Sequence, residues 1–158
     1  MIRIIITSIT FACLVMFLPT VHAEEPYEFT QCLSGSYNLF HQSKELPPVL
    51  SWTETGITIS DDTRFNNLTL HCEGVQIGIG KKRTGYGICK FTDLDGDMMI
   101  VGGPYTDCVF MAGTGKWKGI KGTMQRQRLV RSKPGKGAMP GTYQVCHKVT
   151  GTFELPTK

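Results

Sequence analysis

After Ala23 no stretch of this chain sustains a helical period, and short runs rich in β-branched and aromatic residues recur between glycine, proline and Asp-Gly punctuation. A chain patterned this way reads as all-β. Eight candidate strands follow: Phe29 to Phe40, Val49 to Ser60, Asn67 to Ile79, Tyr86 to Phe91, Met98 to Val101, Val109 to Met111, Trp117 to Val130 and Thr142 to Leu155. Eight strands in roughly 135 residues, with 18 glycines in the chain to serve corners and bulges, suit one small antiparallel barrel or a sandwich. Pro47-Pro48 and the basic stretch Ser132 to Gly141 read as loops.

The first 23 residues read as a leader. Arg3 supplies a positive start, Ile4 to Leu18 an apolar run, Pro19 a break, and Val21-His22-Ala23 the small residues at minus three and minus one that a signal peptidase needs. The competing reading is a membrane anchor, but the run is shorter than the roughly 20 apolar residues of a span. Cys13 does not mark a lipoprotein, because Thr10-Phe11-Ala12 is a poor lipid-attachment context. Cleavage near Ala23 would leave residues 24–158 as a single periplasmic or secreted domain with no membrane span. In an oxidising compartment Cys32, Cys72, Cys89, Cys108 and Cys146 are expected to be partly bridged, with one thiol left over and buried.

Charge is unevenly spread. Glu24 to Asp107 holds twelve acids against six Lys and Arg, whereas Cys108 to Phe153 holds nine Lys and Arg and no acid. Either the second half presents a surface to a polyanion, or oppositely charged parts of the chain lie side by side and neutralise each other. Lys116, Lys118, Arg126 and Arg128 share one parity along a strand, and Trp117 sits among them, which would suit a polyanion groove. Export leaves an anionic surface polymer as the partner and argues against nucleic acid.

Two turns predict a face. Asp95-Gly96 is a two-residue hairpin dipeptide that sets Tyr86 opposite Tyr105, Ile88 opposite Gly103 and Lys90 opposite Val101. A turn at Gly80-Lys81 sets Cys72 opposite Cys89, close enough for a bridge, whereas a turn at Lys82-Arg83 would separate the sulfurs. With both registers, Val75, Ile77, Ile79, Tyr86, Ile88, Met99, Val101 and Tyr105 form the core face, joined by His71, Glu73 and Lys90. That polar trio would orient a ligand or move a proton inside the barrel; the alternative is an ion pair at its rim.

Other motifs carry less. Asp93-Leu94-Asp95-Gly96-Asp97 lacks the glycine and the distal Glu of an EF-hand and reads as a solvated acidic turn. His71-Cys72 and Cys146-His147 are neighbours that a strand points to opposite faces, so no metal site is expected. Gly113-Thr114-Gly115-Lys116 lacks P-loop spacing, and no nucleophile elbow occurs, so the reading carries no cofactor and no catalytic residue.

The segment Ala112-Gly113-Thr114-Gly115-Lys116-Trp117-Lys118-Gly119-Ile120-Lys121-Gly122 resembles the Gly-Thr-Gly-Lys-aromatic run and glycine-spaced strand of the allene oxide cyclase and dirigent-like barrels. The stretch from His71-Cys72 through Gly87-Ile88-Cys89 and Asp93-Leu94-Asp95-Gly96-Asp97 to Gly113-Thr114-Gly115-Lys116 is similar to small exported bacterial proteins. The resemblance covers about the middle third of the chain and implies an eight-stranded antiparallel, calycin-like barrel with an interior cavity. It transfers no activity, since no catalytic position of the plant members matches here. The expectation is therefore a barrel that binds a small apolar ligand through Tyr86, Ile88, Val101, Tyr105 and Trp117, with His71, Glu73 and Lys90 as polar groups. A basic interaction module and a cyclase-like or isomerase-like enzyme are the alternatives.

Overall fold

In a computed structural model that describes residues 24–79, 83–132 and 141–156, the chain forms eight antiparallel strands. They are β1 (Glu25–His41), β2 (Val49–Ile59), β3 (Thr69–Ile77), β4 (Thr84–Thr92), β5 (Met98–Pro104), β6 (Asp107–Gly113), β7 (Lys121–Ser132) and β8 (Thr142–Glu154). Each pairs with the next, and β8 pairs back onto β1, so the barrel is closed. Closure satisfies both edges, which an open sheet of this length would leave exposed. The leader reading falls on residues 1–23, outside the described residues, as do Gly80-Lys81 and most of the stretch from Ser132 to Gly141. No described helix is long and apolar enough to cross a membrane.

The register of β3 on β4 is the expected one, with His71 opposite Lys90 and Cys72 opposite Cys89, and these two cysteines are bridged. A second disulfide, Cys32–Cys146, joins β1 to β8, and Cys108 is a buried free thiol. Cys72 and Cys89 are fully buried, whereas Cys32 and Cys146 lie a residue out of step with the buried Gln31, Leu33 and Val145 and so face outward.

The β4–β5 register differs from expectation by one residue: Tyr86 faces Pro104, Ile88 faces Gly102 and Lys90 faces Ile100. The hairpin loop is three residues rather than two. Gly96 donates to Asp93 O (3.1 Å), Asp93 donates to Asp97 O (3.0 Å), and Gly96 adopts φ 87°, the bulged form of a type I turn. A one-residue slip moves a strand's side chains to the other face. The predicted core face is consequently split: Met99 and Val101 point inward, while Val75, Ile77, Tyr86 and Ile88 are about half exposed on the outside.

The inward positions of β3 and β4 were hard to see because several are glycine. A side chain at Gly74 or Gly87 would collide with the Trp52 indole, and one at Gly85 with the Tyr105 ring. Trp52, 4 % exposed, fills the space that these glycines leave.

The lumen is packed from one end. Phe65, in the β2–β3 connection and wholly buried, stacks on Tyr27 (4.7 Å between ring centroids) and meets Phe29, Trp117 and Phe153. Thr58 holds the connection in place: its hydroxyl donates to Phe65 O and accepts from Leu68 N. Arg64 closes this end, its guanidinium 5.0 Å from the Phe153 centroid and paired with Glu25 and Asp62.

Trp117 belongs here, in a 3-10 turn (Gly115–Trp117) rather than in a strand, so it lines no mouth. Its Nε1 donates to Asp93 Oδ2 (3.0 Å), and Lys116 Nζ lies 2.9 Å from the same oxygen. Asp93 Oδ1 accepts from Asp95 N and Asp97 N, while Asp97 accepts from Lys116 N. Burial alone would raise the Asp93 pKa, but the bonds from Lys116, Trp117 and the two backbone amides hold it below the usual carboxylate range. The acidic turn and the Gly-Thr-Gly-Lys-Trp run are thus two halves of one staple. Among the described residues no set of His, Cys, Asp and Glu side chains converges to hold a metal.

Candidate functional site

At the other end the lumen changes character. Tyr37, Trp52, Glu54, Tyr105, Arg126, Arg128, Arg131, Tyr143, Val145 and His147 surround a cavity of about 40 Å³, enough for one or two water molecules. It adjoins an open groove of about 640 Å³ at the mouth that shares Tyr105 and Arg128 and adds Arg83.

The three inward arginines come from β7. Arg126 and Arg128 share the parity of the buried Met124 and pair with Val149 and His147 of β8. Between Arg128 and Val130 the register shifts, Leu129 being the extra residue, so that Arg131 lies opposite the inward Val145. A bulge re-aims the residues that follow it. Without it Arg131 would point to solvent.

The cations are not neutralised. No described carboxylate forms an ion pair with Arg126, Arg128 or Arg131. Arg126 Nη2 donates to Cys108 Sγ (2.9 Å), and its Nε has no partner among the described residues. Arg131 lies 4.5 Å from the Tyr143 centroid and 5.6 Å from that of Tyr37, whose rings stack on each other at 4.7 Å. Glu54 is the one carboxylate in the lining, and it accepts a 2.6 Å bond from the Tyr143 hydroxyl. Burial, then the charge of Glu54, pushes the Tyr143 phenol far above the ordinary tyrosine range, so it remains a donor.

Burial and the charges of Arg126, Arg128, Arg131 and Arg83 bring the His147 pKa down to about 4. The imidazole is neutral at pH 7, and its Nδ1 has no hydrogen-bond partner among the described residues. Among the described residues Trp52 Nε1 is likewise unpaired, and so are both amide atoms of Gln31, which lies opposite His147 on β1 and is fully buried. Unsatisfied buried polar atoms cost stability and are rare. Here three of them, on Trp52, Arg126 and His147, line one cavity, and every arginine N–H is a donor.

The sequence-derived site does not assemble. Tyr86, Ile88, His71, Glu73 and Lys90 lie on the outer surface, where His71 Nε2 and Glu73 Oε1 are 2.9 Å apart with both side chains exposed. Val101 is buried in the barrel interior, Trp117 is at the plugged end, and Tyr105 alone reaches the cavity, its hydroxyl donating to Gln76 (2.8 Å). Missed were Tyr37, Trp52, Glu54, Tyr143 and His147, which are far apart in the chain. The available signal was the Arg126/Arg128 parity, read as a cationic face for a polyanion groove without connecting it to Met124, which has the same parity and is buried.

The charge asymmetry resolves into two populations. Lysines of the second half meet acids of the first: Lys116 with Asp93 and Asp95, and Lys148 with Glu28, while Lys121 meets Glu154. The inward arginines of β7 meet none.

No protein-family model matches the sequence, and no curated protein does. Among solved structures the chain is similar to the pterocarpan synthase dirigent protein GePTS1, with a TM-score of 0.50 and 9% identity over 85% of this chain and 93% of that one. At that identity the likeness is one of fold: a dirigent-like eight-stranded barrel.

Proposed function

We propose that this protein is an exported, non-enzymatic barrel that binds a small aromatic monoanion, taking its charged group into the lumen and leaving its ring in the mouth. The observation that carries the reading is the convergence of Arg126, Arg128 and Arg131 without a carboxylate partner, beside unpaired donors on Trp52 and Arg126. Arg126 is half-buried without a counter-charge, which is unfavourable for folding and which an anion would relieve, while Arg128 and Arg131 are exposed at the mouth and reach an entering ligand. A carboxylate, with three heavy atoms, takes about the room of two waters and suits the inner cavity, while guanidinium forks match its geometry. The ring would lie against Tyr105 and Arg83, which already stack at 5.2 Å in the mouth. Two disulfides accord with an oxidising compartment.

Isothermal titration of the mature protein with naphthalene-2-carboxylate and with its neutral methyl ester tests the charge requirement. The acid is expected to bind at least about tenfold more tightly, with the difference lost in Arg128→Gln/Arg131→Gln. Equal binding of acid and ester would restore the apolar-ligand expectation. Binding of neither probe, with retention on heparin that moderate salt abolishes, would support the polymer-binding alternative.

A further inference from the structure

Five residues first expected on the core face, Val75, Ile77, Ile79, Tyr86 and Ile88, join Val109 and Met111 in a continuous apolar surface on the outside of β3, β4 and β6. We infer that this face is an interface between two copies of the chain, packed sheet against sheet about a two-fold axis.

Val75, Ile77 and Ile79 follow one another on the outer side of β3 and its extension, Val75 opposite Tyr86 and Glu73 opposite Ile88. On the far side Ile88 is opposite Gly102, which is opposite Val109. Gly102 has no side chain, and the space above it is taken by Met111 Sδ and the Tyr86 hydroxyl, so the face continues across β5 without a break. Val75, Ile77, Ile79, Tyr86, Ile88, Val109 and Met111 are each 43% to 68% exposed. Together they offer roughly 700 Å² of accessible surface, close to the roughly 800 Å² per partner of a stable complex and above the largest patch of an ordinary monomer.

The charges beside this face fit a second copy. Lys90 is exposed and makes no ion pair among the described residues, and it lies diagonally across the strand pair from the exposed Glu73. In a two-fold interface a contact from one residue to another is repeated in reverse. Lys90 then meets the partner's Glu73, and Glu73 the partner's Lys90. Ile88, opposite Glu73 and two residues from Lys90, then lies at the axis with the aromatic Tyr86 next on the same face of the strand, where interface energy concentrates.

Sedimentation velocity on the mature protein at about 1 to 100 µM tests this. The expected species is a dimer, converted to a folded monomer by Tyr86→Glu with at least about 100-fold weaker association. Lys90→Glu is expected to weaken association about tenfold and Lys90→Glu/Glu73→Lys to restore it. Circular dichroism and binding of naphthalene-2-carboxylate, which uses the opposite face of the wall, report whether a variant still folds. A wild-type monomer at the highest concentration overturns the inference, as does an assembly that persists in folded Tyr86→Glu. Ile88→Lys replaces Tyr86→Glu should the latter fail to fold, and is read in the same way.

Discussion

The two ends of the barrel are built from the same eight strands and differ in what they do with aromatic rings. At the plugged end Phe65 is held among Tyr27, Phe29, Trp117 and Phe153 with no exposed surface, and the charged groups beside it, Arg64 and Asp93, are matched by partners. At the mouth the rings of Tyr37 and Tyr143 stack instead on Arg131, and polar atoms of Trp52, Arg126 and His147 are left unpaired. One end spends its side chains on stability; the other keeps donors free. The difference teaches that within a closed barrel a packed plug and a set of unpaired donors need not compete for the same residues, because the lumen is long enough to separate them.

Substitutions should separate the ends, and the largest effect belongs to the plug. Phe65→Ala is expected to destabilise by about 4 kcal/mol in chemical denaturation, through lost transfer energy and the cavity left behind. A loss under about 1 kcal/mol would mean that the plug is not the main core. Asp93→Ala comes next, at about 3 kcal/mol, because it strands Trp117 Nε1 and two backbone amides beside Lys116. Arg126→Leu at the mouth should behave in the opposite way. It is expected to leave stability unchanged or raise it by about 1 to 2 kcal/mol while anion affinity falls at least about tenfold. A destabilisation as large as that of Asp93→Ala would erase the contrast between the ends.

The smallest effect is a pH dependence. The folded His147 pKa of about 4 lies below the unfolded value near 6.5, so the unfolded chain takes up the proton first as pH falls. The stability associated with neutral His147 is present above about pH 6.5 and is lost progressively towards pH 4. Allowing for solvent screening, the loss is about 1 to 2 kcal/mol. Denaturation at pH 7 and pH 4.5 should show a smaller acid loss in His147→Asn than in the wild type. Equal losses would place the field of the arginines elsewhere.

Much of this molecule was legible before its structure. All eight strands were anticipated, with boundaries off by a few residues, because β-branched runs and turn residues act locally. The largest local error was Trp117, assigned to the start of a strand although it closes a 3-10 turn stapled to Asp93. The Cys72–Cys89 pairing was legible as one of two registers, the other separating the sulfurs, and the structure has the first. The site was not. Its arginines share the parity of Met124, but Arg131 joins them only through the bulge at Leu129, and Glu54, Tyr143 and His147 reach it from strands brought together by closure. Where glycine holds the inward positions, the visible alternation belongs to the outside, as Val75, Ile77, Tyr86 and Ile88 show.

By itself the sequence determined the all-β class, the number of strands and the neighbours that a short turn joins, because backbone preference and turn chemistry depend on residues a few positions apart. Only the tertiary structure decided which side of each strand is inside. That choice turns on a single residue in the loop after Asp93 and on the pairing of β1 with β8, and either one redirects whole rows of side chains at once.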